Sequence, residues 1–474
     1  MQDSKTKYSS NFPDPMVPKE KKESKEYGLR YAKAIEKQWG SADDYNSLFR
    51  KRQKIFERNR DYANGTQDTT VYKQILTSLD PNNGDGSLVN LDFTPVPILA
   101  KFARIVTNKI LSRSPYPNLE AVDPLSSSEK DQQKKMMQMQ VAARDELIAL
   151  KQETGGLTIG DDPEQLPETL EEAEIFFETN IKTDAEIAAQ IATNMTLEWN
   201  NFDDNTYRRC VSDLTAVGMA VSKRTNDPNY GVKVEYVDPG SFVHSYTEDP
   251  SMDDLVYAGH VKRITISELK RLAGDELTEE QLKKIQKAAK KQKQGDYSSP
   301  NATSYDNFTG KYTSGYDEYM VEVLCFEFVS VDTVYFEEKE NRFGNTGFFY
   351  QGYNYKEKPN SVFARTPHKM EVENVYYGMY VMGTEFIFNY GLMNNMPRNM
   401  HDLTRTRMSY SAVATNMRDM VPKSLVDSCI GFADMLQLTH LKLQQAIAKA
   451  KPDGLVIDIE GLENVQLGKG GELQ

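Results

Sequence analysis

Between Ser424 and Lys451 the apolar positions fall on one narrow row: Leu425, Cys429, Phe432, Leu436, His440, Leu443, Ile447 and Ala450 recur at steps of four and three. That spacing predicts a single helix about 40 Å long, too long to cover one compact core. Its ends are marked as well. Ser424 with Asp427 three residues on forms an N-terminal cap, Lys449 and Lys451 sit where the helix dipole favours cations, and Pro452 stops the run. A seam this narrow predicts packing against copies of the same helix. After the proline, GLVIDIEGL reads as a short strand and the glycine-rich GKGG as a loop.

Earlier in the chain the pattern alternates between helical and extended periods. Residues 1–26, with prolines and the run KEKKESKE, read as a solvated arm. Two helices fit from Tyr27 to Asp61, the second opened by Ser41 with Asp44 and closed at Asn64-Gly65. The stretch VNLDFTPVP reads as a strand leading into a buried helix from Ile98 to Leu111, and Ser126 to Glu153 as a Met- and Gln-rich helix. GDDPEQLPETLEEAEIFFET is acidic and reads as solvated surface. A helix pair from Asp184 to Val217 then leads into the strands MAVSKRT, GVKVEYVDP and LVYAGHVKRI, the short helix ISELKRL, and a lysine-rich helix capped by Thr278 with Gln281. Helices followed by a small antiparallel sheet make an α+β unit. From Gly295 to Tyr316, Ser, Tyr, Asn and Gly mark a long loop and a boundary. Beyond it EYMVEVLCFEFVSV, TVYFEEKE, NTGFFYQGY, VENVYYGMYVMG and EFIFNYG are aromatic and β-branched strands, and a helix is expected from His401 to Met420.

Composition narrows the function more than it names one. A net charge of −13 argues against tight nucleic-acid binding, which Lys and Arg drive by displacing counterions, but is compatible with DNA sliding past. No apolar run reaches the ~20 residues of a bilayer span, and the N-terminus lacks the apolar core of a secretory signal, so no membrane partner is expected. The three cysteines, at 210, 325 and 429, imply no disulfide framework, and with the five histidines they share no metal-ligand spacing. DPNNGDGS resembles the start of a calcium loop, but Leu91 stands where the bidentate Glu belongs. Gly461 to Lys469 resembles a phosphate loop only faintly, because six residues separate its glycines and Gly470 follows the lysine. No catalytic residue, cofactor site or metal site is expected.

Several blocks, in order, carry a resemblance. DLTAVGMAVSKR, VDPGSFVHSYTEDPSMDDLVYAGHVKRITISELKRL, the aromatic strands ending in FIFNYGLMNNMPR, and SLVDSCIGFADMLQLTHLKLQQAIAKAKPDGL resemble the portal proteins of tailed double-stranded DNA phages, those of crAss-like phages most. The resemblance covers roughly residues 90–474. It implies an α+β subunit with a wing, long stem helices and a β-rich clip, repeated in a ring of about twelve copies at one capsid vertex. Residues 1–90 match nothing; the wing falls on 90–275, a first stem helix and loop on 276–318, the clip on 319–395, helices including the second stem helix on 396–451, and the tunnel loop on 452–474. The chain stops at Gln474, so no crown is assigned. Implied partners are the homo-oligomer, major capsid protein, packaging terminase, tail or adaptor proteins, and double-stranded DNA bound without sequence preference.

On that reading the stem seam between subunits is Leu425, Cys429, Leu436, Leu443 and Ile447. The residues facing DNA are Lys442, Lys449, Lys451, Gly461, Asn464, Gly468, Lys469 and Gly470. The lysines at 449 and 451 have a second explanation in the helix dipole, whereas Lys442 lies too far from the helix end for one. Twelve copies at −13 sum to −156, and a conduit of that sign repels phosphate instead of trapping it. A head-to-tail adaptor is the nearest alternative. A phage-encoded hydrolase is a more distant one, since both tryptophans, Trp39 and Trp199, lie in helical stretches.

Overall fold

The computed structural model describes residues 12–39, 48–79, 91–113, 117–153, 167, 169–180, 182–227, 231–294, 320–340, 346–353, 368–399, 401–418 and 420–449. Its class is mixed α+β. Among the described residues no helix is long and apolar enough to cross a membrane.

The molecule is organised on an antiparallel sheet whose spine is β5 (Met320–Glu340). Strands β3 (Phe242–His244) and β4 (Tyr257–Thr265) lie on one side of it, and β7 (His368–Val381) and β8 (Ile387–Leu392) on the other, in the order β3-β4-β5-β7-β8. The outer half of β5 also pairs with β6 (Thr346–Gly352). Because β4 pairs residue for residue with Met320–Phe328, one sheet runs across the segment between 275 and 319. EYMVEVLCFEFVSV and TVYFEEKE, which read as two strands, form one. Asp332, where a turn would fall, lies inside the ladder opposite Val372 and is buried.

Alternation along β5 sets the layers. Leu324, Phe326 and Phe328 face helix α2 (Lys25–Trp39), which contributes Tyr27, Tyr31, Ile35 and Trp39 to their cluster. The Tyr31 ring stacks on Phe328 at 4.0 Å. Gly28 permits this docking, since a Cβ there would lie 2.4 Å from the Tyr390 ring. Val321, Val323 and Cys325 face the opposite way, under α11 (Ile266–Ala273) and α12 (Glu279–Gln294). Thr278 and Gln281 exchange hydrogen bonds at the start of α12, the reciprocal cap their spacing predicts.

The expected solvated arm is in part a buried element. In α1 (Lys19–Lys22), Lys22 is 1% exposed; its Nζ donates to Asp332 Oδ1 at 2.9 Å and to the Val331 carbonyl at 2.8 Å. Asp332 Oδ2 accepts from Asn374 and Tyr376 at 2.7 and 2.8 Å, so both oxygens of the buried carboxylate are hydrogen-bonded. A run of mixed charge gave no sign that one lysine would be paired inside the sheet.

A second sheet, β11-β1-β2, consists of β1 (Met219–Asp227), β2 (Gly231–Val237) and β11 (Tyr410–Ala414). Here the helix expected from His401 to Met420 is corrected. The segment forms β9 (Arg398–Asn399), β10 (Asp402–Thr406), β11, β12 (Met417–Arg418) and β13 (Val421–Pro422). Tyr410, Ala412 and Ala414 are buried while Ser411 and Val413 are exposed, a period of two. Pairing with Met219–Lys223 completes that sheet and overrides the helical preference of the alanines.

The remaining helices are α3 (Leu48–Asn64), α4 (Thr70–Leu79), α5 (Ile98–Leu111), α6 (Pro124–Ala142), α7 (Arg144–Glu153), α8 (Leu170–Asn180), α9 (Asp184–Trp199) and α10 (Arg208–Ala216), the last preceded by a π-helical turn at Phe202–Tyr207. The helix predicted at 98–111 has those bounds, but its expected burial is corrected: Ala100 and Ala103 are buried while Phe102 and Ile105 are exposed; α3 closes at Asn64 with Gly65 at φ +77°. The cap proposed at Ser41 and Asp44, the DPNNGDGS stretch and the 295–316 loop lie outside the described residues. The strand read into VNLDFTPVP is corrected for residues 91–97, which form neither strand nor helix.

Candidate assembly surface

Helix α13 (Leu425–Lys449) follows directly from β13 and is about 37 Å long. Its start is fixed three times. The Ser424 hydroxyl accepts from the Asp427 N–H at 2.9 Å, the predicted cap. Gly218, at φ +83° between α10 and β1, lets the two segments touch, since a Cβ there would sit 2.8 Å from the Lys423 backbone. Arg58 of α3 pairs with Asp427 at 2.7 Å, in the first turn where the helix dipole favours the carboxylate.

One face of α13 is anchored to its own subunit. Val426 and Leu441 are buried apolar positions on it, and Leu441 joins Tyr72 and Leu76 of α4. The rest of the anchoring is polar. Asp434 Oδ1 accepts from the hydroxyls of Tyr62 and Tyr72 at 2.5 and 2.6 Å, and burial together with this carboxylate raises the pKa of both phenols. Gln437 is fully buried; its Oε1 accepts from Val96 N–H at 2.8 Å and its Nε2 donates to the Thr94 carbonyl at 3.3 Å. Gln444 Oε1 accepts from Asp92 N–H at 3.0 Å. Glutamine side chains therefore take the backbone groups of residues 92–96 that a strand partner would have taken, which is why that segment needs no ladder.

The other face carries the predicted seam and is turned to solvent. Phe432, Leu443 and Ile447 are 71%, 57% and 66% exposed, and Leu425 and Leu436 are exposed with them. Cys429, in the same row, is half-buried with a free thiol. A helix with its polar residues satisfied inward and its large apolar residues outward inverts the usual amphipathic order. Exposed contiguous apolar surface on this scale marks an interaction site. Sequence reading found the outward row and missed the inward one, whose signal was Gln437, Leu441 and Gln445 at steps of four.

The residues expected to face DNA are only partly covered. Lys442 is exposed, its Nζ 3.4 Å from Gln445 Oε1, and Lys449 ends the helix. Lys451, Gly461, Asn464, Gly468, Lys469 and Gly470 lie outside the described residues. No group of three His, Cys, Asp or Glu side chains among the described residues is arranged to hold a metal.

Two buried histidines belong to the scaffold. His244 stands between Trp39 and Phe242, and burial together with the Arg52 guanidinium depresses its pKa to about 3. His260, 2.6 Å from the Tyr410 hydroxyl, is held well below its ordinary value by burial and by Lys223 and Lys262.

No protein-family model matches this chain. No curated protein matches it either. The functional reading therefore rests on the residues and their geometry.

Proposed function

We propose that this chain is the portal subunit of a tailed double-stranded DNA phage. About twelve copies would form a ring at one capsid vertex, the channel through which DNA enters and leaves. The single observation that carries the proposal is the apolar row along α13, exposed over most of the helix while the opposite face is locked to α3, α4 and residues 92–96. Burying such a row against another copy removes each large side chain from water, worth roughly 1.5–3 kcal/mol apiece before association costs. Head-to-tail contacts between identical subunits close into a ring when their rotation divides a full turn.

The ordered sequence blocks supply the phage context, and the acidic balance supplies a physical role. Phosphate passing a net-negative ring meets repulsion and few sticking points, with Lys442 a candidate weak contact. On this reading the chain is a structural conduit in the virion, not an enzyme, and its partners are the capsid protein, the packaging terminase and the tail or adaptor proteins. Electron microscopy of the purified complete chain tests it: rings with a central hole are expected, and isolated particles of single-subunit size would overturn it.

A further inference from the structure

Two surface helices of this subunit are complementary in charge and in apolar exposure, yet neither is satisfied by the other. From Ile98 to Arg113, covering α5, the chain carries Lys101, Arg104, Lys109 and Arg113 and no acid, in a protein of net charge −13. All four are exposed, and none makes an ion pair among the described residues. Phe102 and Ile105 stand exposed between them. With Ala100 and Ala103 turned inward, the helical period places Lys101, Phe102, Ile105 and Lys109 on one outward face.

Helix α8 is the converse. Leu170–Asn180 carries Glu171, Glu172, Glu174 and Glu178 and no base. Ala173 and Phe177 pack on Met137 and Val141 of α6, which turns Ile175 and Phe176 outward, both exposed. Between α6 and α8 runs an open groove lined by Met139 and Ala142 with Glu171 and Glu174 along one wall and Lys135 and Gln138 along the other. On this wall Glu174 pairs with Lys134 at 3.4 Å.

We infer that α5 of one copy docks into the α6–α8 groove of the next, Phe102 and Ile105 against Met139 and Ile175, and the α5 bases against Glu171 and Glu174. The lengths agree, at about 21 Å for α5 and 16 Å for α8. A basic apolar helix and an acidic apolar groove on different parts of one chain make a heterologous contact, each copy giving one half and receiving the other. The inference rests on the reading of the chain as a ring subunit, but it names a contact separate from the α13 row.

Charge reversal and cross-linking test it together. Lys101→Glu with Arg104→Glu, or Glu171→Lys with Glu174→Lys, is expected to raise the apparent dissociation constant of assembly about tenfold or more, because like charges then face each other. Combining all four substitutions is expected to restore assembly. In a Cys429→Ser background, Ile105→Cys with Ile175→Cys should give an oxidised ladder extending beyond dimer, and either cysteine alone should not. Circular dichroism identifies any reversal variant that fails to fold, and the cysteine pair then decides. Reversal variants that fold and assemble like wild type, a four-fold variant that does not recover, or a ladder ending at dimer would overturn the contact while leaving the ring reading standing. Reversals of α5 that lower only retention of added duplex DNA would assign its bases to nucleic acid and overturn it likewise. Wild-type protein that never assembles would overturn both.

Discussion

Beneath α2 the sheet of this molecule completes a core, although β6 leaves Phe348, Phe349 and Tyr350 exposed; the helical half does not. Around β5, Phe326, Phe328, Tyr376 and Tyr380 are buried beneath α2, and the carboxylates buried on that strand, Asp332 and Glu327, are paired with Lys22 and Lys223. Around α13 the polar side chains are satisfied inward while Phe432, Leu443 and Ile447 stay in water. α9 repeats the theme with exposed Ile187, Ile191, Met195 and Trp199 at steps of four. The same residue types thus serve two purposes. In the first region aromatic burial stabilises the subunit; in the second, exposure holds apolar area in reserve for another chain.

The sharpest way to break this comparison is to truncate matched aromatics. Phe328→Ala should cost about 3–5 kcal/mol of folding stability, since the cavity opens between Tyr31 and Tyr376, whereas Phe432→Ala should shift it by less than about 0.5 kcal/mol. Urea denaturation of the two variants measures both. Equal losses would mean that the α13 row already has a partner within the subunit.

Removing one member of the buried pair comes next. Asp332→Ala leaves the Lys22 ammonium without its carboxylate in the sheet interior, and about 3 kcal/mol of destabilisation is expected by the same assay. A loss under about 1 kcal/mol, the range of exposed pairs, would mean that α1 detaches and lets the lysine reach water.

The pH response is gentler. His244 and His260 are neutral in the fold because burial depresses both, so each takes up a proton on unfolding once the pH falls below the unfolded value near 6.5. Stability should therefore be complete above about pH 7 and decline by roughly 1.4 kcal/mol per pH unit for each histidine as the pH falls below about 6. Unfolding midpoints at pH 7.0 and 5.5 check this, and equal midpoints would place the rings in contact with solvent.

Local signals were legible where they do not depend on distant partners. The Ser424 cap, the reciprocal Thr278–Gln281 cap, the helix at 98–111 and the outward row of α13 all follow from spacing within one segment. What was hidden depends on tertiary partners. Residues 410–414 become a strand because β1 offers an edge, residues 92–96 stay irregular because Gln437 and Gln444 take their backbone groups, and Lys22 is buried because Asp332 waits beneath it. None of those partners lies within 70 residues in the chain, so no window of local periodicity contains them. The α5 and α8 surfaces were in view only as separate stretches, one taken for a buried helix and one for solvated acid.

Mass photometry on the complete chain, wild type beside Leu436→Glu with Leu443→Glu, tests the central claim most directly. A large closed oligomer is expected for the wild type, and for the variant a monomer with the wild-type circular dichroism spectrum, because assembly itself raises the wild-type unfolding midpoint. A wild type that stays monomeric at micromolar concentration, or a variant that assembles as well as the wild type, would contradict it.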